Sequence, residues 1–475
     1  MSRAYYERLS PQSASFLGRE GSRTFSHSSV LLVFEAGPLS REGGGVDFEA
    51  IRSGVESRLG IVPRSRQKLR WIPFENHPIW VDDPDFNLDY HLRHTSLPRP
   101  GSEEQLRRMV ARIHAQRLDR SRPLWECWVL EGLEEDRFAM LWKTHHCMVD
   151  PASEEDLIET LLSPEPYPPE PRSAGYRPRP MPSAFELVRD EVVRQARIPR
   201  RRLDRVREAL GNDAWRHDLE IRLRSVARLL GYSIRPRSEN ALSGPAGPHR
   251  RFARLVVPLE KAQAVHRALD APLHDVLLAV LAGAIRAFLL ERLTNPATID
   301  FRVSAPVTLD DDASHETVAE WIVEMPIWEK DPRERVARVR AQTRKLHAAS
   351  PGLGARTLAG LAEWSGSRRL GLAARAVSQR PVDLAVVNLP GPQTPLHFRG
   401  ARLIEGFGIA PLREDHALSV SIMSYDGKLC WALNADFDRL PDLDRFAAAL
   451  AVSFDELHRA ARGGAKLSVV SSAEG

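Results

Sequence analysis

Apolar residues along this chain recur at helical spacing in three long segments. Residues 102–118 carry them at every third or fourth position, behind a Ser102/Gln105 capping box, which predicts an amphipathic helix. Residues 271–290 are apolar on all sides, which predicts a buried helix. Residues 444–461 predict a closing amphipathic helix. The inward-facing residues of the first and last helices are Leu106, Val110, Ile113, Phe446, Leu450, Phe454 and Leu457.

Other apolar runs are short and rich in β-branched or aromatic residues, as in strands. Residues 138–144 predict a buried strand. The dipeptide Asp426-Gly427 separates two such runs, at 417–424 and 429–434, and this predicts a β-hairpin. Helices and strands mix without strict alternation, so the fold class predicted is α/β with mixed sheets.

Proline divides the chain. Residues 164–182 are crowded with it, which predicts an extended linker, and a strand-like run at 252–257 follows a second loop. We therefore expect an N-terminal domain, a Pro-rich and then Arg-rich helical connector, a C-terminal domain and a disordered tail, at residues 1–165, 166–244, 245–461 and 462–475.

The positive charge is concentrated in one segment. Residues 184–238 hold fourteen Arg and eight acidic residues, giving +6, so the rest of the chain carries −2 of the net +4. Apolar residues at helical spacing within this segment fit a helix lying on an anionic membrane surface or on lipid inclusions. A solvated helical linker is the alternative, and the pattern favours it slightly. Because no nucleic-acid motif accompanies the patch, nucleic acid is not an expected partner.

Composition favours an ordinary globular protein. The 475 residues are 43% hydrophobic and 27% charged, enough for about two or three domains. Cys127, Cys147 and Cys430 lack motif spacing, which favours a reducing compartment without disulfides. The N-terminus does not resemble a signal peptide, and the longest apolar run is interrupted by Arg286. We expect a cytoplasmic protein that is soluble or peripheral at the inner membrane or at lipid inclusions.

The strongest chemical motif is the adjacent pair His145-His146, with Asp150 four residues later. The pair ends the predicted strand and precedes a predicted helix at 153–163, a junction where side chains can face a cleft. Imidazole transfers protons near neutral pH, so a general base is one interpretation. The other interpretation is that both histidines are structural. A metal site is not expected, because neighbours on a strand point to opposite faces and the nearby Cys147 has no partner cluster.

Several segments, in the same order, resemble the bacterial wax ester synthase/diacylglycerol acyltransferase family. The family pattern His-His-x-x-x-Asp-Gly resembles residues 145–151, and Leu-Asp-x-x-x-Pro-Leu-Trp-Glu resembles residues 118–126. Asn-Val-Pro-Gly-Pro is similar to residues 388–392, and residues 80–86 and 424–427 fit as well. The resemblance implies two chloramphenicol-acetyltransferase-like α/β domains with a tunnel between them.

The chain departs from the family pattern at four motifs. Pro151 replaces the glycine of the histidine motif, and His274 replaces the asparagine of an Asn-Asp pair. Asp310 replaces an arginine, and Ser13 replaces the aspartate of an early Pro-x-Asp. Pro151 is compatible with a helix that starts after Asp150, because its φ suits a first helical position. These departures make the chain a divergent member.

The resemblance implies that His146 is the general base. It would take the proton of an alcohol that attacks the thioester of acyl-CoA, the co-substrate, and then protonate the departing sulfur. No covalent acyl-enzyme, metal or further cofactor is required. His145 and Asp150 would support the motif. Lower-ranked candidates for substrate contacts or oxyanion stabilisation, each with a purely structural alternative, are Pro123, Leu124, Trp125, Ser304, Thr308 and Asn388.

The function expected first is O-acyl transfer from acyl-CoA to diacylglycerol, giving triacylglycerol, or to a long-chain alcohol, giving a wax ester. A related acyltransferase with an amine or small alcohol as acceptor is a second hypothesis. A catalytically weak protein that binds lipid or coats lipid inclusions is a third. The sequence leaves the acceptor, the acyl chain length and homodimerisation open.

Overall fold

The computed structural model describes residues 6–148, 157–169, 175–196, 240–309, 317–348 and 382–470. Its strands are β1 (Glu7–Arg8), β2 (His27–Glu35), β3 (Gln67–Trp71), β4 (Pro78–Asp82), β5 (Leu92–Ser96), β6 (Trp125–Leu133), β7 (Arg137–His145), β8 (Arg250–Pro258), β9 (Arg302–Leu309), β10 (Thr317–Glu324), β11 (Leu384–Leu389), β12 (His397–Phe398), β13 (Ala401–Ile409), β14 (Leu418–Tyr425) and β15 (Lys428–Asp436).

The helices lie between and after these strands. They are α1 (Pro11–Gly18), α2 (Phe48–Arg58), α3 (Leu88–His91), α4 (Glu103–Ala115), α5 (Leu157–Leu161), α6 (184–196), α7 (Leu259–Leu269), α8 (Leu273–Glu291), α9 (Pro332–Ala348) and α10 (Leu443–Val470). Short 3-10 turns lie at Gly37–Leu39, Pro63–Arg66, His146–Met148 and Pro296–Thr298.

One six-stranded mixed sheet carries the histidine pair. Its order is β12-β13-β2-β7-β6-β5, with β5 and β6 parallel and the other neighbours antiparallel. Strands β12 and β13 come from the second half of the chain, so this half completes the first sheet. The domain boundaries expected at residues 165 and 245 stay a prediction. Residues 397–409, which belong to the expected C-terminal domain, lie in the sheet of the expected N-terminal domain.

The second six-stranded sheet has the order β10-β9-β11-β14-β15-β8. Strand β11 runs parallel to β9 and β14, and the other neighbours are antiparallel. Helix α8 packs against α9 and α10 in the core that covers this sheet. A smaller sheet of order β1-β4-β3 completes the described strands.

The two halves meet through α4. His114 hydrogen-bonds to the Ser29 hydroxyl of β2 at 2.8 Å and to the Asn434 amide of β15 at 3.2 Å. Arg254 of β8 pairs with Glu103 at the start of α4 and with Glu405 of β13, each at 2.5 Å. These contacts fix the second sheet against the sheet of the histidine pair.

Most elements expected from the pattern are present. The Ser102/Gln105 capping box forms, but the helix ends at Ala115 instead of 118. The hairpin forms at Asp426-Gly427, whose φ values of 43° and 71° explain the choice of residues. Helix α5 is described only from Leu157, so the proposed cap at Ser153 lies outside the described residues.

The expected disordered tail is partly wrong, because α10 continues to Val470. Each glycine of the pair Gly463-Gly464 destabilises the helix by about 1 kcal/mol relative to alanine. Because glycine keeps its backbone N–H, the pair does not end the helix. Of the predicted connector, residues 175–183 are non-helical and α6 is helical, and residues 197–239 lie outside the described part.

Helix α8 is long and apolar enough to cross a membrane. Its mean hydropathy is 1.9 over the most apolar window, and 72% of that window is buried inside the protein. Since α9 and α10 cover it, it serves here as a core helix, as the all-round apolar pattern predicts.

Candidate active site

Strands β2 and β7 bring the site together. They pair over their full length, and His145 at the end of β7 lies opposite His27 at the start of β2. His146 then leaves the strand in a 3-10 turn, where its backbone N–H donates to the Ser26 carbonyl at 2.8 Å. Both neighbouring histidines are therefore fixed by backbone bonds but are exposed differently to solvent.

His145 is a buried structural residue, 1% exposed. Its Nδ1 accepts the backbone N–H of Cys147 at 3.0 Å. Nε2 must then carry the proton, and it donates to Glu20 at 3.0 Å. These contacts tie the histidine motif to the loop that follows α1, which fits the supporting role expected for His145.

Glu20 is the centre of this buried network. Its carboxylate accepts hydrogen bonds from His145, from the Ser26 backbone N–H at 2.9 Å and from Arg120. Burial alone would raise the pKa of Glu20, but these bonds and charges outweigh burial and lower it to about 2. Glu20 is therefore ionised at neutral pH.

Lys143 anchors β7 against the end of α4. Its fully buried ammonium donates to the carbonyls of Ile113, at 3.0 Å, and of Gln116 at the end of α4. Burial lowers the pKa of Lys143 to about 8. A cation at a helix C-terminus interacts favourably with the last carbonyls, so Lys143 holds the end of α4 against β7.

His146 is half-buried, and one ring edge faces Ser28. The Ser28 Oγ lies 3.0 Å from His146 Nε2. The ring of Phe16 on α1 stacks on the imidazole, with centroids 5.0 Å apart and planes 21° apart. Helix α1 thus covers one face of the ring while the Nε2 edge stays next to a hydroxyl.

The surroundings of His146 favour a neutral imidazole. Burial is the main cause, followed by electrostatic interactions with His145, Arg19 and Arg413, and together they lower the pKa of His146 to about 4. Arg413 belongs to the loop between β13 and β14, so both halves of the chain act on the ring. A neutral imidazole can accept a proton at pH 7, as a general base must.

Glu20, His27 and His145 offer ligand atoms within 4.8 Å of one another. This geometry could hold a metal ion. The Glu20 carboxylate already accepts three hydrogen bonds, and Arg120 and Arg117 lie against it. Because these cations oppose a second positive charge, the absence of a metal stays our prediction.

Pro123, Leu124 and Trp125 are buried beside the motif. The Leu124 carbonyl accepts the backbone N–H of His145 at 3.0 Å. Trp125 donates to the Ser65 carbonyl at 2.7 Å and stacks on Trp142, with centroids 5.1 Å apart. These contacts are core packing that supports the histidine strand.

The other candidates lie elsewhere. Ser304, which is buried, and Asn388, half-buried, belong to β9 and β11 of the second sheet. Thr308 lies on β9, and its side chain is outside the described part. Asp150, Pro151 and Asp310 also lie outside the described residues.

Two of the family departures are described. His274 is half-buried, its Nε2 makes no hydrogen bond among the described atoms, and burial lowers its pKa. Its neighbour Asp275 accepts the Thr343 hydroxyl at 3.0 Å. Ser13 is buried in the first turn of α1 and bonds with the Ser10 hydroxyl at 2.8 Å, so it serves the helix cap.

Sequence reasoning missed Phe16, Glu20 and Ser28. All three precede the motif by more than a hundred residues, and no local pattern marks them. The only available signal was the resemblance itself, which begins at Leu9 and therefore places the N-terminal segment within the family's catalytic region.

Models of one protein family match most of the chain. The model of the wax ester synthase/diacylglycerol acyltransferase catalytic domain matches residues 9–277, and the model of the C-terminal domain of the same family matches residues 317–458. The chain therefore belongs to the wax ester synthase/diacylglycerol acyltransferase family.

Curated relatives cover nearly the whole chain. A Mycobacterium tuberculosis protein named "Probable diacyglycerol O-acyltransferase tgs1" is 31% identical over 425 residues, which cover 86% of this chain and 88% of that protein. Another diacyglycerol O-acyltransferase relative from the same species is 30% identical over 511 residues, covering 97% and 98%. The chain is an acyltransferase of this type.

Solved structures show the same fold. The wax ester synthase/diacylglycerol acyltransferase from Marinobacter aquaeolei VT8 matches with a TM-score of 0.66 and 23% identity, covering 96% of this chain and 99% of that one. The first condensation domain of the calcium-dependent antibiotic synthetase matches with a TM-score of 0.56 and 14% identity, covering 96% and 97%. The two-domain α/β fold with mixed sheets is confirmed.

Proposed function

We propose that this protein transfers a fatty acyl group from acyl-CoA to a hydroxyl acceptor, diacylglycerol or a long-chain alcohol, with His146 as the general base. The observation that carries the proposal is the state of His146: half-buried, with its pKa lowered to about 4, and with Nε2 directed at a hydroxyl 3.0 Å away. Phe16 stacks on the ring, and the His146 backbone N–H donates to the Ser26 carbonyl.

His146 and the residues around it have different roles in this reaction. The imidazole accepts the proton of the acceptor hydroxyl as the oxygen attacks the thioester carbonyl, and then supplies it to the departing sulfur. Glu20 and His145 act through the backbone of the turn, so they are positioning residues. No metal or further cofactor enters these steps.

A basic cavity supports acyl-CoA as the donor. This cavity of about 630 Å³ is lined by α4, by residues 248–252 and by Phe437. Five arginines and two acidic residues, Glu104 and Asp444, line it, so the lining is positively charged. The Arg251 guanidinium lies 3.9 Å from the Phe437 ring centroid, and this ring is 42% exposed. Positive charge beside an exposed aromatic ring suits an adenine nucleotide with phosphates.

Helix α6 supports a peripheral location at a lipid surface. Leu187 faces inward, where it packs with Ile72, Ile79 and Val81 of the core. The opposite face exposes large apolar side chains beside Arg189. These are Phe185, Val192 and Val193, exposed by 76%, 63% and 43%. Exposed apolar side chains on one face of a helix suit contact with a lipid surface, such as the inner membrane or a lipid inclusion in the cytoplasm.

The acceptor is tested by product analysis. The purified protein is incubated with labelled palmitoyl-CoA and, in parallel, with diacylglycerol, hexadecanol, a short alcohol or an amine, and the labelled products are separated. Labelled triacylglycerol or wax ester supports the proposal. If the only labelled product were the amide or the ester of the short alcohol, the acceptor would be an amine or a short alcohol and not a lipid. No labelled product from folded protein would favour a lipid-binding role instead.

A further inference from the structure

The Ser28 hydroxyl meets the imidazole of His146 at the end of the first sheet. Ser28 lies on β2 opposite Thr144 of β7, and its Oγ is 3.0 Å from His146 Nε2. With Nε2 unprotonated, as a general base requires, the Ser28 O–H is the donor of this bond. Among the described contacts the hydroxyl has no second partner, so it can turn to another acceptor.

The distance between this hydroxyl and Nε2 is set by the fold. Phe16 stacks on one face of the His146 ring, with centroids 5.0 Å apart. The His146 backbone N–H donates to the carbonyl of Ser26, which lies two residues before Ser28. The same short segment therefore holds both the turn that carries His146 and the Ser28 side chain, before any substrate binds.

Direct acyl transfer changes the partner of Nε2. The hydroxyl of the acceptor must donate to Nε2 before its oxygen attacks the thioester. The Ser28 O–H then loses its own acceptor in a half-buried position, where an unpaired donor is unfavourable. A new acceptor beside the attacking oxygen would restore the bond.

The oxygen of the thioester carbonyl is such an acceptor. In the tetrahedral intermediate this oxygen and the attacking oxygen are bonded to the same carbon, so they lie closer together than two hydrogen-bonded atoms. A donor stabilises the oxyanion best from about 2.7–3.1 Å. Because Nε2 holds the attacking oxygen and lies 3.0 Å from Ser28 Oγ, the oxyanion can reach that distance from Ser28. The earlier candidates Ser304 and Thr308 lie on β9 of the second sheet instead.

We infer that Ser28 is the oxyanion donor of the acyl transfer. The acceptor oxygen attacks the carbonyl carbon while its proton passes to His146 Nε2, and the electron pair of the C=O bond moves to the oxygen, to which the Ser28 O–H donates. The C=O bond then forms again, the C–S bond breaks, and His146 gives its proton to the departing sulfur. Ser28 keeps its own proton and forms no bond to the acyl group. The inference rests on the proposed function and adds a second catalytic residue to it.

The matched variants Ser28→Val and Ser28→Thr test the hydroxyl. Both side chains have the same shape and suit a strand, but only threonine keeps the O–H. With diacylglycerol or hexadecanol as acceptor, we expect kcat to fall by about 10²–10³-fold in Ser28→Val at nearly unchanged KM, and by less than about tenfold in Ser28→Thr. The control is Ser96→Val, an exposed serine on the edge strand β5 of the same sheet, which should leave kcat unchanged. Circular dichroism and Tm verify the fold, and Ser28→Ala replaces Ser28→Val if the larger side chain prevents folding.

A second donor substrate separates oxyanion stabilisation from a role in holding the imidazole. In the dithioester analogue of palmitoyl-CoA, sulfur replaces the carbonyl oxygen and accepts hydrogen bonds weakly. Removing the Ser28 hydroxyl should therefore lower the rate of CoA release from the dithioester much less than that from the thioester.

Equal losses with both donor substrates would show that Ser28 only positions His146, and would overturn the inference. A kcat of folded Ser28→Val within a few-fold of wild type would also overturn it and leave the proposed function intact. Absence of acceptor-dependent CoA release by the wild type itself would contradict the proposed function, and the inference with it.

Discussion

Glu20 accepts a hydrogen bond from His145 over 3.0 Å, and this bond joins the loop after α1 to the histidine motif. Since the Cys147 N–H fixes the His145 tautomer, the imidazole can only donate to Glu20. The pair therefore positions the turn on which His146 lies, although neither residue faces the hydroxyl of Ser28.

Replacing Glu20 by Gln is expected to lower the free energy of unfolding by about 1–3 kcal/mol, because His145 and Arg120 lose a charged acceptor. The folded pKa of about 2 lies below the ordinary value, so the stabilisation is present above pH 4.5 and is lost as the pH falls towards 2. Denaturant unfolding at pH 7 and pH 3 checks both statements, and the exposed Glu42→Gln is the control. Equal stability of Glu20→Gln and wild type at pH 7 would contradict the role of Glu20.

If His146 is the general base, the pH dependence of kcat/KM reports its protonation in the free protein. Its pKa of about 4 lies below the ordinary 6.5, so the base stays unprotonated as the pH falls through 6. We expect kcat/KM to remain level from pH 8 to about pH 5 and to fall only near pH 4. An acid limb centred near 6.5, in protein that stays folded, would show that the imidazole is not desolvated.

Phe16→Ala removes the ring that stacks on His146. An aromatic contact of this kind is worth about 1 kcal/mol, so we expect kcat/KM to fall by about fivefold. Water also gains access to the imidazole, so the acid limb is expected to move up towards 6.5. The control is Phe74→Ala, whose ring is 91% exposed and should leave both quantities unchanged. An unaltered acid limb in Phe16→Ala would contradict shielding by this ring.

Arg251→Glu tests the basic cavity. Reversing one charge that we propose to face the phosphates of acyl-CoA is expected to raise KM for palmitoyl-CoA by about fivefold at low salt, with kcat nearly unchanged. The effect should shrink at high salt, because exposed charges are screened over about 10 Å at 0.1 M. Arg41→Glu, an exposed residue outside the cavity, is the comparison. Equal KM values for the two variants would place the CoA phosphates elsewhere.

Local patterns predicted the elements well where one segment holds all the information. The Ser102/Gln105 box, the Asp426-Gly427 turn and the buried strand before His145 each depend on neighbouring residues. They form as expected because capping, turn geometry and side-chain alternation are local properties.

Long-range partners could not be predicted in the same way. Strand β13 joins the first sheet beside β2, yet nothing in the sequence of β13 indicates which strand it pairs with. Glu20, Phe16 and Ser28 reach the histidine motif only because β2 pairs with β7 and α1 folds over the turn. The pattern of the motif could identify His146, whereas the residues that hold and shield it depend on tertiary packing.

The most direct measurement of the central claim is acceptor-dependent release of CoA thiol from palmitoyl-CoA by wild type and by His146→Ala, with diacylglycerol or hexadecanol as acceptor. If His146 is the general base, release is expected to fall by about 10²–10⁴-fold in the variant, at unchanged Tm and circular dichroism. His94→Ala, a histidine outside the motif that pairs with Glu131, should retain activity. Release within a few-fold of wild type from folded His146→Ala would contradict the proposed role of His146.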